Sequence, residues 1–432
     1  MATPLDPHAA IATEATGLRD GALTTADGQP LGRALARASR RARRRAFLLV
    51  LPLLAFILIT FILPIGQMLY RSVYNDGFSA NMPAISAWFA EHPAGTDPDE
   101  GAFAALAADL QTSAEDKTIG VVGTRINYAL PGTRSLFTST GRKVRSGIEP
   151  PYQAALLDLD PKWGDPQLWA AMRDASSAYT DSFYLASVDA KRNVGGEIER
   201  AAPRQRVYVM LFLRTLWLSA LVTGLTFLLG FPIAHLLATL PLRKSNLLMI
   251  LVLLPFWTSL LVRTSAWMVL LQQQGVVNDI LIWAGVIDNG GRLKMMYNQT
   301  GTIIAMTHIL LPFMILPLYS VMRTINPSYV RAARSLGATS WTAFRRIYFP
   351  QTLPGLGAGA LLVFILAVGY YITPALVGGA SGQLISNMIA EHMTGTLNWS
   401  MAAALAAILL AGVLILYWVY DRLVGIDNLK LG

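Results

Sequence analysis

The sequence predicts an all-α integral membrane protein with six spans and a large folded insert between the first and the second. Three observations carry that prediction. Hydrophobic residues make up 53% of the 432 residues and charged residues only 14%, against roughly a quarter charged in soluble proteins. The apolar residues are gathered into long runs rather than spread along the chain. Between the runs lie segments of opposite character, one long and acidic, the others short and basic.

Residues Met1 to about Leu31 show no apolar period, and the region through residue 45 is expected to be a disordered basic cytoplasmic tail. Arg33, Arg37, Arg40, Arg41, Arg43, Arg44 and Arg45 crowd before the first apolar run. They account for much of the net charge of +9. Beside a span, such a cluster points to anionic headgroups rather than to nucleic acid. Residues 46–70 form the first span, in which Phe47 to Leu69 is interrupted only by Thr60, Gly66 and Gln67. At about 1.5 Å per residue it covers roughly 30 Å of hydrocarbon, about twice the reach of a signal-peptide core.

Residues 71–205 differ in kind. They hold about 17 of the 26 acidic residues beside about 13 basic ones, and no run long enough to cross a membrane. Asp165 before Pro166 reads as a cap and first-turn pair opening a helix over Gln167–Ala178. Asp99 and Glu100 stand in the first turn of a helix running to about Gln111, where negative charge suits the dipole. The segment is expected to be a water-exposed domain of ordinary size.

Residues 206–432 carry five more runs, at about Thr215–Leu240, Asn246–Met268, Gly301–Met322, Leu353–Ile372 and Met401–Tyr420. Pro232, Pro255, Pro312 and Pro317 fall inside them, as membrane helices tolerate. Arg243 and Lys244 follow the second run, Arg323, Arg331, Arg334, Arg345 and Arg346 the fourth, and Arg422 and Lys430 the sixth. With six spans these all fall on the side of the N-terminal arginines. The positive-inside rule then sets both termini in the cytoplasm and the insert outside.

The connection between the fourth and fifth runs, residues 323–352, is too polar for membrane and too patterned for a plain loop. In SYVRAARSLGATSWTAFRRIYFPQTLP, Ser328–Pro354, the residues Tyr329, Ala332, Ala333 and Leu336 recur at helical spacing until Gly337 interrupts. Trp341, Phe344, Ile347 and Tyr348 then share a second face before Pro350. Two short helices meeting at a glycine would project a compact knob. Aromatic anchors such as Trp341 and Phe344 could transmit a partner's movement as a rigid contact. A surface-lying amphipathic connector is the alternative reading of the same residues.

This segment resembles the coupling motif of permeases in type I ABC importers: Glu-Ala-Ala, three residues, Gly, nine residues, Ile, one residue, Leu-Pro. Ala332, Ala333, Gly337, Ile347 and Pro350 stand at the matching places, with Ala338 beside the glycine. Arg331 replaces the glutamate and Phe349 the leucine. The likeness extends through LPFWTSLLVRTSAW (Leu254–Trp267), NDIL (Asn278–Leu281), LLPFMILPLY (Leu310–Tyr319) and ITPALVGG (Ile372–Gly379), and it is to the spermidine/putrescine-type branch. It implies the six-helix permease fold of that class in a bacterial inner membrane. It also implies two ATPase subunits, a second and non-identical permease, and a periplasmic protein delivering a polyamine or opine-like compound. The chain itself is expected to bind no cofactor, ATP and Mg being used by the partner. The insert is not covered by the likeness, and could contact the binding protein or cap the pathway.

Candidates for the substrate path are Trp257, Thr258, Arg263, Tyr370, Tyr371, Thr373, Asn387 and Glu391. An arginine at membrane depth costs several kcal/mol unless it faces protein or water; Arg263 reads equally as an interfacial residue snorkelling outward. Arg214 is expected just before its span. Aromatic faces attract amines, although rings near helix ends also form the interfacial belt. Acids are scarce near the spans: Asp279, Asp288 and Glu391 fall in outer segments. His235 and His308 are expected to be hydrogen-bonded structural residues. No cysteine is present, which excludes disulfides and thiolate chemistry. No lysine follows a glycine, so no phosphate-binding loop occurs and the ATPase must be another polypeptide. An ATP-independent transporter or channel, or a membrane-anchored sensor, are the other classes compatible with a multispan chain.

Overall fold

A computed structural model describes residues 31–424, with side chains from 39 to 422; the expected tail over 1–30 and Lys430 lie outside the described residues. Five helices among these are long and apolar enough to cross a membrane, or six if one bent pair of helices is counted as a span. The first helix through Met68 and the chain from Leu69 onward are separate compact units.

The first span is α1 (Leu31–Ile57), a π turn over Leu58–Ile62, and α2 (Leu63–Val73). The basic segment 31–45, expected to be disordered, is helical. Arginine and alanine are good helix formers, and an adjoining apolar helix supplies the costly nucleus from which such a segment propagates. The π turn immediately precedes Leu63-Pro64. Proline has no N–H to give and crowds the carbonyl four residues back, and a widened turn relieves both.

The insert is helical apart from one short hairpin. It comprises α3 (Pro83–Glu91), α4 (Glu100–Glu115), α5 (Ile119–Asn127), α6 (Thr133–Val144), α7 (Tyr152–Leu159), α8 (Pro166–Ala175) and α9 (Ser182–Ser187), then a two-stranded hairpin of β1 (Ala190–Arg192) and β2 (Ile198–Arg200). Asp165 accepts from the Gln167 N–H at 2.9 Å as the expected cap, and Asp99, expected in the first turn, is instead the N-cap of α4, accepting from the Ala102 N–H at 2.8 Å. Large aromatics fill the core. Phe103 meets Trp169 edge-to-face at 5.0 Å and Phe137 meets Trp163 at 5.1 Å. The Trp163 indole N–H donates to Thr140 Oγ1 at 3.1 Å, so the buried ring carries no unpaired donor.

The remaining spans are α10 (Tyr208–Thr239), the pair α11 (Leu242–Leu253) and α12 (Leu260–Leu270), α14 (Gln299–Thr324), α17 (Phe349–Gly369) and α21 (Trp399–Val424), with the short α13 (Val276–Trp283) before α14. The third span was expected as one helix over Asn246–Met268 and is instead broken, bending by 97°. Pro255 leaves only a 3₁₀ turn over Leu254–Trp257, Thr258 and Ser259 are extended, and the Ser259 hydroxyl caps α12 through the Val262 N–H at 3.2 Å. Arg214 lies inside α10 rather than before it, because the helix starts at Tyr208; its guanidinium donates to the Ala380 carbonyl at 2.9 Å.

Helices α10, α14 and α17 pack together at the centre, around Leu218, Val222, Met306, Met314, Leu318 and Val363. Small residues permit the approach. A Cβ at Gly355 would stand 2.9 Å from the Pro317 carbonyl oxygen, and one at Gly359 would stand 2.9 Å from Met314 Sδ. The insert is fastened to this core by Asn75 Nδ2 donating to Ser400 Oγ at 2.9 Å and by an apolar cluster of Phe183, Leu211, Ile385, Met401 and Leu405.

Candidate functional site

The segment after α14 begins with α15 (Ser328–Ser335), an exposed two-turn helix carrying Arg331, Ala332 and Ala333. Its C-terminus is set by Gly337 at φ +90°, a conformation that L side chains rarely adopt. Thr339 then caps the next helix by accepting from the Thr342 N–H at 3.2 Å. The second arm departs from expectation. It is α16 (Ser340–Ala343) and a π turn over Phe344–Tyr348 that continue without interruption into α17, giving one helix from Ser340 to Gly369. The fifth span therefore begins well before Leu353. It ends at Gly369, and Ile372 opens the separate short helix α18 (Ile372–Val377). Again the π turn immediately precedes a proline pair, Phe349-Pro350.

Two kinds of side chain divide the elbow. Leu336 is 89% exposed and Trp341 66%, with Tyr329 also outward, so apolar groups project beside Arg331, Arg334, Arg345 and Arg346. Such a patch flanked by charge suits a protein partner. Ala338 is half-buried at the bend. Phe344, Ile347 and Tyr348 turn inward, and Phe344 meets Phe231 of α10 at 6.0 Å, edge-to-face. Pro350 sits exposed at the start of α17.

The membrane-depth candidates separate in the same way. Trp257, 78% exposed, and Thr258 occupy the break of the third span. Irregular backbone at this depth is tolerated where it lines a cavity or protein. Arg263, one turn into α12, is half-buried with its Nε unpaired and its guanidinium 5.9 Å from the Phe256 ring centre. His308 accepts from the Trp267 indole at 3.1 Å and, unlike the expected interior histidine, is exposed. Thr373 and Asn387, expected along the path, are buried and engaged. Thr373 shares a 3.2 Å hydrogen bond with Thr264, and Asn387 donates to the Tyr371 carbonyl at 2.8 Å while accepting from the Leu384 N–H. Through the Tyr371 carbonyl, Asn387 holds the turn carrying Tyr370 and Tyr371. Glu391 is exposed on α20 (Ile385–Thr394), after the one-turn α19 (Gly379–Gly382). Asp279 is paired with Arg292 at 2.9 Å.

Two long-range contacts were not read from sequence. Asp189, buried at φ +56° in the insert, accepts from the N–H groups of Val207, Tyr208 and Val209 at 2.9–3.0 Å, capping α10. His235 of α10 meets Tyr348 of the elbow, Nδ1 to hydroxyl, at 3.0 Å. Among the described residues no group of three His, Cys, Asp or Glu could hold a metal.

A helix–glycine–helix elbow precedes the long helix that ends at Gly369, and a bent helix pair precedes α14. Residues 207–425 match the family described as binding-protein-dependent transport system inner membrane component, and the chain belongs to that family: it is a multi-pass inner-membrane permease of the type I ABC importer class. It is similar to the spermidine/putrescine transport system permease protein PotB of Escherichia coli K12, 36% identical over 222 residues covering 51% of this chain and 80% of that one. The Haemophilus influenzae PotB is 34% identical over 224 residues, covering 52% and 78%. Among solved structures, a chain of a bacterial alginate ABC transporter, in complex with an alginate pentasaccharide-bound periplasmic protein, is 21% identical, with a TM-score of 0.42 over 52% of this chain and 81% of that one. The insert lies outside the family match.

Proposed function

We propose that this chain forms half of the translocation pathway for a small polar nitrogen compound, a polyamine or an opine-like molecule, delivered by a periplasmic binding protein and driven by two separate ATPases. The observation that carries the reading is the elbow: a glycine-set bend that turns Leu336 outward at the end of its first arm and Trp341 outward on its second, which continues as the fifth span. An ATPase that grips such an arm moves a membrane helix directly. The match to the PotB permeases supports the substrate class, and a non-identical second permease is part of the same proposal. Basic short connections at Arg243 and Lys244, at the elbow and at Arg422 support cytoplasmic termini, with the insert in the periplasm. The break at Pro255–Ser259, with Trp257 and Arg263, is the proposed lining of the path. The scarcity of acids there favours a substrate bearing a carboxylate beside its amine.

The test is purification of the complex from its host and reconstitution in vesicles with the binding protein, followed by uptake of labelled spermidine against an opine. Replacing Gly337 with valine is expected to cut uptake more than about tenfold while ATP hydrolysis persists, since a β-branched residue at positive φ is a strong outlier. No neighbour lies within 4 Å of an added Cβ, so the effect comes from the backbone. Unchanged uptake would remove the elbow from the mechanism.

A further inference from the structure

The elbow touches the helices of its own chain through a ladder of rings. Trp341 stacks on Phe344 at 5.6 Å and Phe344 on Tyr348 at 6.0 Å, while Phe231 of α10 receives Phe344 edge-to-face and Phe349 at 5.8 Å. Phe227, Phe231 and His235 stand four residues apart on one face of α10, with Phe227 and Phe231 themselves 5.7 Å apart. At the end of this ladder is one directional contact: the 3.0 Å hydrogen bond between His235 Nδ1 and the Tyr348 hydroxyl, with the rings edge-to-face at 5.0 Å. Tyr348 is only 9% exposed.

We infer that His235 and Tyr348 are positioning residues that lock the coupling elbow to α10, so that a partner's stroke on the elbow reaches α10 as well as the fifth span. This rests on the coupling role proposed above. Stacked rings resist separation but slide at little cost, because dispersion contacts are individually weak and undirected. A hydrogen bond in apolar surroundings is directional and costly to leave unmade, so it fixes one register. The π turn over Phe344–Tyr348 supports this. Its extra residue in the turn changes the facing of the helix on either side by about 100°. Phe344, Tyr348 and Phe349 can then all meet α10 while Trp341 stays outward. A second tie holds the same end of α10: Arg323, in the last turn of α14, donates to the Ala238 carbonyl at 2.8 Å. The elbow thus bears on a helix end that is already fixed to the central bundle.

The experiment uses the complete complex. Tyr348→Phe keeps the ring and removes the hydroxyl; His235→Gln keeps a polar partner and His235→Phe does not. In vesicles with the binding protein and spermidine, uptake per ATP hydrolysed is expected to fall about threefold or more in Tyr348→Phe and His235→Phe, the scale of one net hydrogen bond. His235→Gln should be milder, and all three should co-purify with the ATPases. A purely structural role would lower assembly and leave the ratio alone, and that result overturns the inference. Because the chain has no cysteine, spin labels at Thr239→Cys and Ser335→Cys give a readout independent of substrate. Their separation should be the same in nucleotide-free and vanadate-trapped complexes of the parent, and should broaden on trapping with Tyr348→Phe. Identical distributions with and without the hydroxyl also overturn the joint. If the parent fails to take up spermidine but the labels behave as stated, the substrate assignment falls and the joint stands.

Discussion

The insert and the permease core are both helical, yet they are held together differently. The insert buries Phe78, Phe103, Phe137, Trp163 and Trp169 against one another, side chains whose removal from water is the main driving force. The core places methionine, leucine and glycine where α10, α14 and α17 meet, and its outward faces keep Leu213, Trp217, Leu228 and Leu229 exposed. Lipid tails are as apolar as leucine, so burial gains little there, and close backbone approach with good packing takes its place. Bulk stabilises the first region. Smallness stabilises the second.

Four substitutions would break or sharpen that contrast. Trp163→Ala removes a fully buried ring together with its bond to Thr140, and should cost the insert about 3–5 kcal/mol. Hydrogen exchange on the full chain would show the insert opening while the spans stay protected; equal loss in both regions would mean they fold as one. Gly355→Leu is the converse. With the Pro317 carbonyl and Val321 in the way, enlargement should cost about 1–3 kcal/mol in the core, visible as a lowered melting temperature in detergent with the insert unaffected.

Asp189→Asn tests the seam between the two. It keeps one acceptor for Val207 and Tyr208 but turns an amide toward the Val209 N–H, and should cost about 1 kcal/mol. Faster exchange at the first turn of α10 checks it. The smallest effect is a pH dependence. Burial holds the Asp109 carboxyl above the usual aspartate range, against the lowering effect of its bonds from the Ile85 and Ala84 N–H groups. The folded insert therefore binds a proton that the unfolded chain has released. This group's contribution is greatest below the unfolded pKa and is lost as pH rises through the folded one. Asp109→Asn should flatten that slope in denaturant titrations across mildly acidic pH, and an unchanged slope would assign it to other groups.

The local features were legible. Asp165 and Gly337 sit where capping and turn rules put them, because each answers to atoms only a few residues away. The apolar runs gave the spans for the same reason. Misreadings arose where a distant partner or a continuing helix intervened. Residues 31–45 took their helix from the span that follows, and the second arm of the elbow ran on through Phe349-Pro350 because a π turn absorbs the proline. The third span hid its break, although Pro255 and a cap-forming Ser259 were both in view; apolarity alone cannot tell a straight helix from a bent pair.

Sequence by itself determined which segments leave water, where the bend of the elbow falls, and to which class of transporter the motif belongs, since hydropathy, capping and spacing are properties of short stretches. Only tertiary structure decided that Asn387 and Thr373 face inward, that Asp189 caps a helix from another region, and that His235 meets Tyr348. Those depend on pairs separated by up to 113 residues, and no local energy term specifies which distant groups packing will bring together.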